Sequence, residues 1–347
     1  MRVSRTVLCL TVVLLGSWLT ARAAEPSTSA KRAVAMSNAA EALTASLDES
    51  QKAQVELPFA DEKRTDWHWI PKPRRKGLAI GKMNAEQRER VFELVKAGLS
   101  DEGYDKARKV IILEELVGHL EGSQATHNRD PGRYYITIFG KPAPSGEWGW
   151  SFEGHHLSLN FTLGGGKVVS ATPIFLGANP RLIHEKWSLG PPVGTRGLEK
   201  EEGLARDLFK SLSGKQREAA HIAMEPPQEL RGGPPAKLYG GEPLGIAGAE
   251  LSPVQKRYLH ALMSTYVKNL EPTIASDLLA RIGRDSLDET YFGWWGSDDP
   301  DKPHFYRVQG PTFTIEFDNT QEDPTGRSAN HIHSVLRSTK VDFGREG

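Results

Sequence analysis

Thr312-Phe313-Thr314-Ile315-Glu316-Phe317-Asp318-Asn319-Thr320, followed after a polar loop by Asn330-His331-Ile332-His333-Ser334-Val335, is the stretch on which the reading of this chain turns. Its first run alternates: Phe313, Ile315 and Phe317 share one parity, and Thr314, Glu316 and Asp318 the other. That is the period of a half-buried strand. In the second run His331 and His333 stand two residues apart, on one face of an extended chain. Paired, the two strands gather carboxylates and imidazoles on one surface.

Working outward, Phe152-Glu153-Gly154-His155-His156-Leu157-Ser158-Leu159-Asn160-Phe161 adds a second histidine pair. The spacing predicts a strand from His155 to Leu163, with Leu157, Leu159 and Phe161 on one side and His156, Ser158 and Asn160 on the other. Neighbouring residues of a strand face opposite ways, so His155 is expected buried and His156 turned toward a cleft. Further strands are expected at 133–139, 149–152, 167–171, 290–295 and 304–309, and Thr172 to Pro180 reads as an extended loop. Helices are expected after Asn84, from Tyr104 to Leu120, and between Leu198 and Arg284, the last block interrupted by the Pro/Gly-rich segment 226–248. Strands that cluster apart from helices indicate an α+β fold with an antiparallel sheet. One domain over 67–347 is expected, with a helical insertion at about 198–285 and a partly helical or disordered extension at 24–66. Asn84 to Arg88, Ser213 to Arg217 and Ser252 to Lys256 share a helix-start pattern. It fits a vestigial repeat, but ordinary capping is the more economical reading, because no longer self-similarity follows.

Composition excludes some classes. Of 347 residues, 44 are Lys or Arg and 44 are Asp or Glu, which argues against a nucleic-acid binder steered by positive charge. Met1 to Arg5 is a basic start, Val7 to Leu19 an apolar core and Ala21-Arg22-Ala23 a cleavage signal. The pattern predicts a secretory signal peptide over 1–23, export to a periplasmic or extracellular space, and no stable membrane span after cleavage; the alternative is an uncleaved anchor. The single cysteine, Cys9, lies inside that segment, so the mature chain is expected to fold without disulfides.

The candidate chemistry is a mixed nitrogen and oxygen metal site. His156, His331, His333 and Glu316 are the expected ligands of a divalent zinc, iron or manganese ion, with Glu316 and Asp318 as catalytic carboxylates. His155, Glu153, Asn330 and Arg337 are supporting candidates. A metal-free acid–base pair is a further option, and a buried hydrogen-bond network that fixes strand register is the structural one. Trp148, Trp150, Trp294, Trp295, Phe305 and Tyr306 flank the strands and suit either a small-molecule or carbohydrate-like ligand or plain core packing. The expectations are an exported metal-dependent enzyme of hydrolase type, or a non-catalytic exported ligand-binding protein. An interaction module using segment 226–248 is a third.

As a set, Phe152 to Asn160, Pro173-Ile174-Phe175-Leu176-Gly177-Ala178-Asn179-Pro180, Ile315 to Gln321 and Ala329 to Val335 resemble the exported family catalogued as domain of unknown function 3500. The likeness runs from about Ala85 to Gly344. It implies one family-wide domain in which the histidine and carboxylate blocks form a single signature, and it implies no activity. Leu336 departs from the family pattern, where a tryptophan is expected.

Overall fold

The computed structural model describes residues 28–124, 127–187, 190–234, 241–282 and 287–345. The signal-peptide expectation over 1–23 therefore lies outside the described residues, as does 235–240 within the Pro/Gly segment.

In chain order the elements are α1 (Thr28–Ser46), α2 (Glu49–Val55), β1 (Glu56–Leu57), β2 (Leu78–Ala79), α3 (Ala85–Gly98), α4 (Asp101–Glu121), β3 (Tyr135–Phe139), β4 (Trp148–Gly154), β5 (Leu157–Gly164), β6 (Lys167–Ser170) and β7 (Ile174–Ala178). They continue with α5 (Glu199–Ser211), α6 (Gly214–Ala220), β8 (His221–Ala223), β9 (Ile246–Ala247), α7 (Pro253–Val267), α8 (Pro272–Ile282), β10 (Tyr291–Gly296), β11 (His304–Gln309), β12 (Phe313–Gln321) and β13 (His331–Ser338). The fold is α+β. One mostly antiparallel sheet runs β1-β3-β4-β5-β7-β13-β12-β11-β10-β8, with β2, β6 and β9 paired at its sides.

Two apolar clusters sandwich the sheet. On one face Leu157, Leu159, Ile315, Phe317 and Leu336 pack against buried residues of the helices, among them Met36, Leu94, Leu208 and Leu262. On the other, Phe175, Val335 and Phe305 pack against Trp67, Trp69 and Leu230 from loops. Glu316 and Asp318 are therefore buried as fully as Phe317, and β12 is covered on both faces rather than half-buried. Alternation reports which residues share a face, but it does not reveal whether a loop covers the polar side.

Three other expectations change. From Thr28 onward the 24–66 extension is partly helical, as expected, but it belongs to the main core: Met36, Ala40, Leu43 and Val55 are all at 0% exposure. Thr172 to Pro180 is not a loop, because Ile174–Ala178 forms a central strand between β5 and β13. Pro173 and Pro180, which lack N–H donors, bracket it and hide its strand character. The strand expected from His155 starts at Leu157 instead. His155 and His156 form the tight turn between β4 and β5, which closes on the pair Gly154 and Leu157.

Candidate metal centre

The centre sits on the loop-covered face, where β7 meets β13. In register His333 lies opposite Gly177 on one side and opposite Asp318 on the other. The third imidazole comes from the turn. His156 has a left-handed backbone with φ of 59°, uncommon for a residue bearing a Cβ. It is pinned from both sides: its N–H donates to the Trp69 carbonyl at 2.8 Å, and its carbonyl accepts from the Gly177 N–H at 2.9 Å. Gly177 is needed there, because a Cβ would stand 2.8 Å from the Ile332 oxygen and 3.0 Å from the His156 ring.

The result is a convergence of ring nitrogens. His156 Nε2 lies 2.8 Å from His331 Nε2 and 3.2 Å from His333 Nε2. Two imidazoles bound at about 2.0–2.1 Å to one ion stand roughly 2.8–3.4 Å apart, the low end for octahedral and the high end for tetrahedral geometry. The separations suit such an ion. A hydrogen-bond network suits them less well, because a neutral imidazole carries one N–H. Glu229 Oε1 accepts only, and it lies 2.9 Å from His333 Nδ1. In neutral His333 the proton therefore sits on Nδ1, and the Nε2 lone pair faces His156. A carboxylate holding the far nitrogen of a ligating histidine is the usual outer arrangement of metal sites. The Asp318 side chain, at 0% exposure, supplies a further sign. Among the described residues its Oδ2 finds no hydrogen-bond donor and lies 3.9 Å from His333 Nδ1, while Oδ1 accepts from the Thr320 hydroxyl at 2.7 Å. A buried carboxylate oxygen without a donor fits a nearby cation.

The electrostatics follow from burial. Desolvation, then the neighbouring His155, His331 and His333, push His156 well below the ordinary imidazole value. Burial and His333 do the same to His331. Both therefore favour the neutral, ligating form. Burial pushes the Asp318 carboxyl up to about 7, against the pull of His333.

Among the described residues, two groups bring ligand atoms within 4.8 Å of one another: His156, His331 and His333, and Glu229, Asp318 and His333. Glu316 is in neither. Its Oε2 accepts from the Gly232 N–H at 2.6 Å, and its Oε1 lies 3.6 Å from Arg307. It faces the same side as Asp318 but two residues further along β12, beyond reach of the imidazoles. The ligand role expected of Glu316 is not what the geometry offers; Asp318 stands closer.

The supporting candidates scatter. His155 turns away from the centre: Nδ1 meets Glu114 Oε2 at 2.5 Å, and the ring stacks on His156 with centroids 3.8 Å apart. His155 is buried, as expected, but it and not His156 borders a cavity of about 280 Å³ shared with Tyr134, Arg75 and Arg133. The turn reverses the strand parity on which the opposite expectation rested. Glu153 is buried against Lys76 at 2.9 Å and Arg75 at 3.5 Å. Asn330 ties loops together by donating to Asp323 at 2.7 Å and accepting from the Leu182 N–H at 2.8 Å. Arg337 donates to Asp342 at 2.7 Å and is 1% exposed. The six flanking aromatics are at most 3% exposed and pack the core.

Sequence reasoning missed Glu229, Glu114 and the covering Trp69, whose ring centroid lies 6.1 Å from His333. Glu229 offers only one signal, an acid within a Pro/Gly segment. The described part of that segment reaches the core: Leu230 is 6% exposed and packs among the loop-face aromatics.

No curated protein and no solved structure matches the chain. A family described as "Protein of unknown function (DUF3500)" matches residues 29–345, nearly the whole length. The three imidazoles, the turn that carries His156 and the covering loops all fall within the matched region, and the chain belongs to the DUF3500 family.

Proposed function

We propose that this protein is an exported metal-dependent enzyme of hydrolytic type, with His156, His331 and His333 as the ligands of a divalent ion. The observation that carries the reading is the convergence of three Nε2 atoms at 2.8 and 3.2 Å while Glu229 occupies the far nitrogen of His333. Three protein ligands are the number typical of catalytic zinc, where a fourth position is left for water or substrate. A bound ion would supply Lewis acidity there.

The chain's own groups supply the rest. Glu229 orients His333. Asp318 is the buried carboxylate beside His333; burial raises its carboxyl, and a bound divalent ion would draw it back toward the ionised form that accepts a proton. Trp69 and Phe175, stacked at 4.3 Å, wall the centre off from bulk water on the loop side. His331 is half-buried and gives the centre its most open edge. Export rests on the signal pattern over residues 1–23, and N-terminal sequencing of secreted protein tests it.

The experiment is a panel of ester, amide and phosphoester substrates offered to metal-loaded protein, chelated protein and Asp318→Asn. Hydrolysis that is lost on chelation, restored by one metal and depressed at least tenfold in Asp318→Asn supports the reading. A second reading, a purely structural metal, is favoured by the 4–5% exposure of His156 and His333. It predicts that chelation lowers the melting temperature while no substrate is turned over.

A further inference from the structure

The sheet order is the same read from either end. Outward from the β7/β13 boundary, each side presents a terminal strand, the two strands of a hairpin (β5 and β4, or β12 and β11), the strand that follows a helix pair (β3 or β10), and a short edge strand that follows a helix (β1 or β8). The edge pairings also match: β1–β3 and β8–β10 are parallel, and β2–β3 and β9–β10 are antiparallel. Among the described residues β6, paired to β5, has no counterpart beside β12. A shared topology can arise twice, so finer correspondences decide the matter.

Each half carries two capping boxes, Asp48 with Gln51 and Asn84 with Gln87 in the first, Ser213 with Gln216 and Ser252 with Gln255 in the second. In both halves the two glutamines bond each other. Gln87 Nε2 reaches Gln51 Oε1 at 2.8 Å, and Gln255 Nε2 reaches Gln216 Oε1 at 2.9 Å. In both, the later glutamine also donates at 2.9 Å to the last turn of the half's first helix, at the Ser46 and Ser211 carbonyls. Ordinary capping requires neither bond.

The halves meet as two-fold partners do. The Leu99–Leu270 bridge is flanked by Ser100 N–H to Asn269 O and Glu271 N–H to Gly98 O, each 3.0 Å. That exchange is the isologous pattern of a dimer interface. At the sheet's centre Ile174 pairs with Leu336, and the two hold matching places beside Leu159 and Ile315. Gly154-His155-His156-Leu157-Ser158-Leu159-Asn160-Phe161 aligns with Gly310-Pro311-Thr312-Phe313-Thr314-Ile315-Glu316-Phe317, with Gly, Phe and the apolar alternation kept. The turn clamp repeats too: Gly177 N–H donates to the His156 carbonyl, and Thr339 N–H to the Thr312 carbonyl, both at 2.9 Å.

We propose that the chain is a fused pseudo-dimer, two copies of one helix-pair and hairpin unit joined through the segment between β7 and α5, with the imidazole centre built at one of two equivalent positions. Thr312 stands where His156 stands and Thr162 where Asp318 does, and Arg64 lies beside Thr162 as Glu229 lies beside Asp318. At the second position the charge is inverted. Arg64 donates to Thr162 Oγ1 at 3.4 Å and to the Phe343 carbonyl, so a tethered guanidinium takes the place of a carboxylate. The centre itself spans the seam, drawing His156 from the first half and His331, His333 and Glu229 from the second, so it forms only when the halves dock. This proposal stands whether or not a metal binds.

Circular permutation tests it. Two-fold symmetry requires that a connection like the one from β7 to α5 also span from β13 to α1. A permutant opened between β7 and α5, with residue 345 joined to residue 28 by roughly ten or roughly twenty Gly/Ser residues, is compared with one opened at Gly165–Gly166, inside the first unit, with the same joint. Cooperative unfolding of the seam permutant, melting at or above the internal one, is the expected result. A seam permutant that melts below the internal one, or fails to fold with both linkers, overturns the proposal.

Discussion

His331 Nε2 and His156 Nε2 lie 2.8 Å apart although 175 residues separate them in the chain. Nothing local brings them together. The approach depends on the register of β7 between β5 and β13 and on the left-handed turn that swings His156 over Gly177.

That dependence makes Gly177 a sensitive position. Gly177→Ala places a methyl 2.8 Å from a backbone oxygen of β13 and 3.0 Å from the His156 ring. Neither backbone yields cheaply, so the substitution is expected to cost about 1–3 kcal/mol and to weaken metal binding as His156 shifts. Urea unfolding and a metal competition titration on the same variant check both effects. Gly203, where an added Cβ meets nothing within 4 Å, is the control.

Glu229→Gln keeps the size of the side chain and removes its charge. If the carboxylate fixes the tautomer of His333, metal affinity falls about 10- to 100-fold, while the melting temperature of the metal-free protein barely moves, because the side chain is 44% exposed. A competition titration against a chromophoric chelator gives the answer.

Much of the centre was legible in the sequence. The alternation around Ile315 gives β12, and the His-x-His spacing places His331 and His333 on one face. His156 was legible as a ligand candidate beside them, but not its place in a left-handed turn, which breaks the strand period on which the reading relied. Glu229 was hidden for a different reason. It reaches His333 across 104 residues from a loop without periodicity. Glu316 misled in the opposite sense, sharing a face with Asp318 while bonding to Gly232. The proposed repeat shows in the sequence only as three capping signals; the side-chain bonds that argue for it, such as Gln51 to Gln87, are ones no short motif reveals.

A pH dependence follows from a buried cluster outside the centre. Burial alone would push Glu202 up; the His304 hydrogen bond, with the charges of His304, Arg181 and Arg206, overrides it and holds the carboxyl at about 2. A carboxylate whose folded value is depressed stabilises the fold above its unfolded value near 4.5 and loses that contribution as pH falls toward 2. The loss amounts to about 3 kcal/mol by linkage. Urea midpoints from pH 5 to pH 2 should fall more steeply in the wild type than in Glu202→Gln.

The paired glutamines predict matched energetics. Gln87→Ala and Gln255→Ala each remove a reciprocal cap and its bond to the partner glutamine, at an expected cost of about 1–2 kcal/mol apiece. The sites lie in separate halves, so the double variant should lose the sum. Chemical denaturation of the three variants measures it.

Whether three imidazoles hold an ion is decided by elemental analysis of purified protein beside the His331→Ala, His333→Ala double variant and Glu316→Gln. Near-stoichiometric divalent metal is expected in the wild type and in Glu316→Gln, and its loss in the double variant. Wild-type protein that stays metal-free after incubation with zinc, iron and manganese would contradict it.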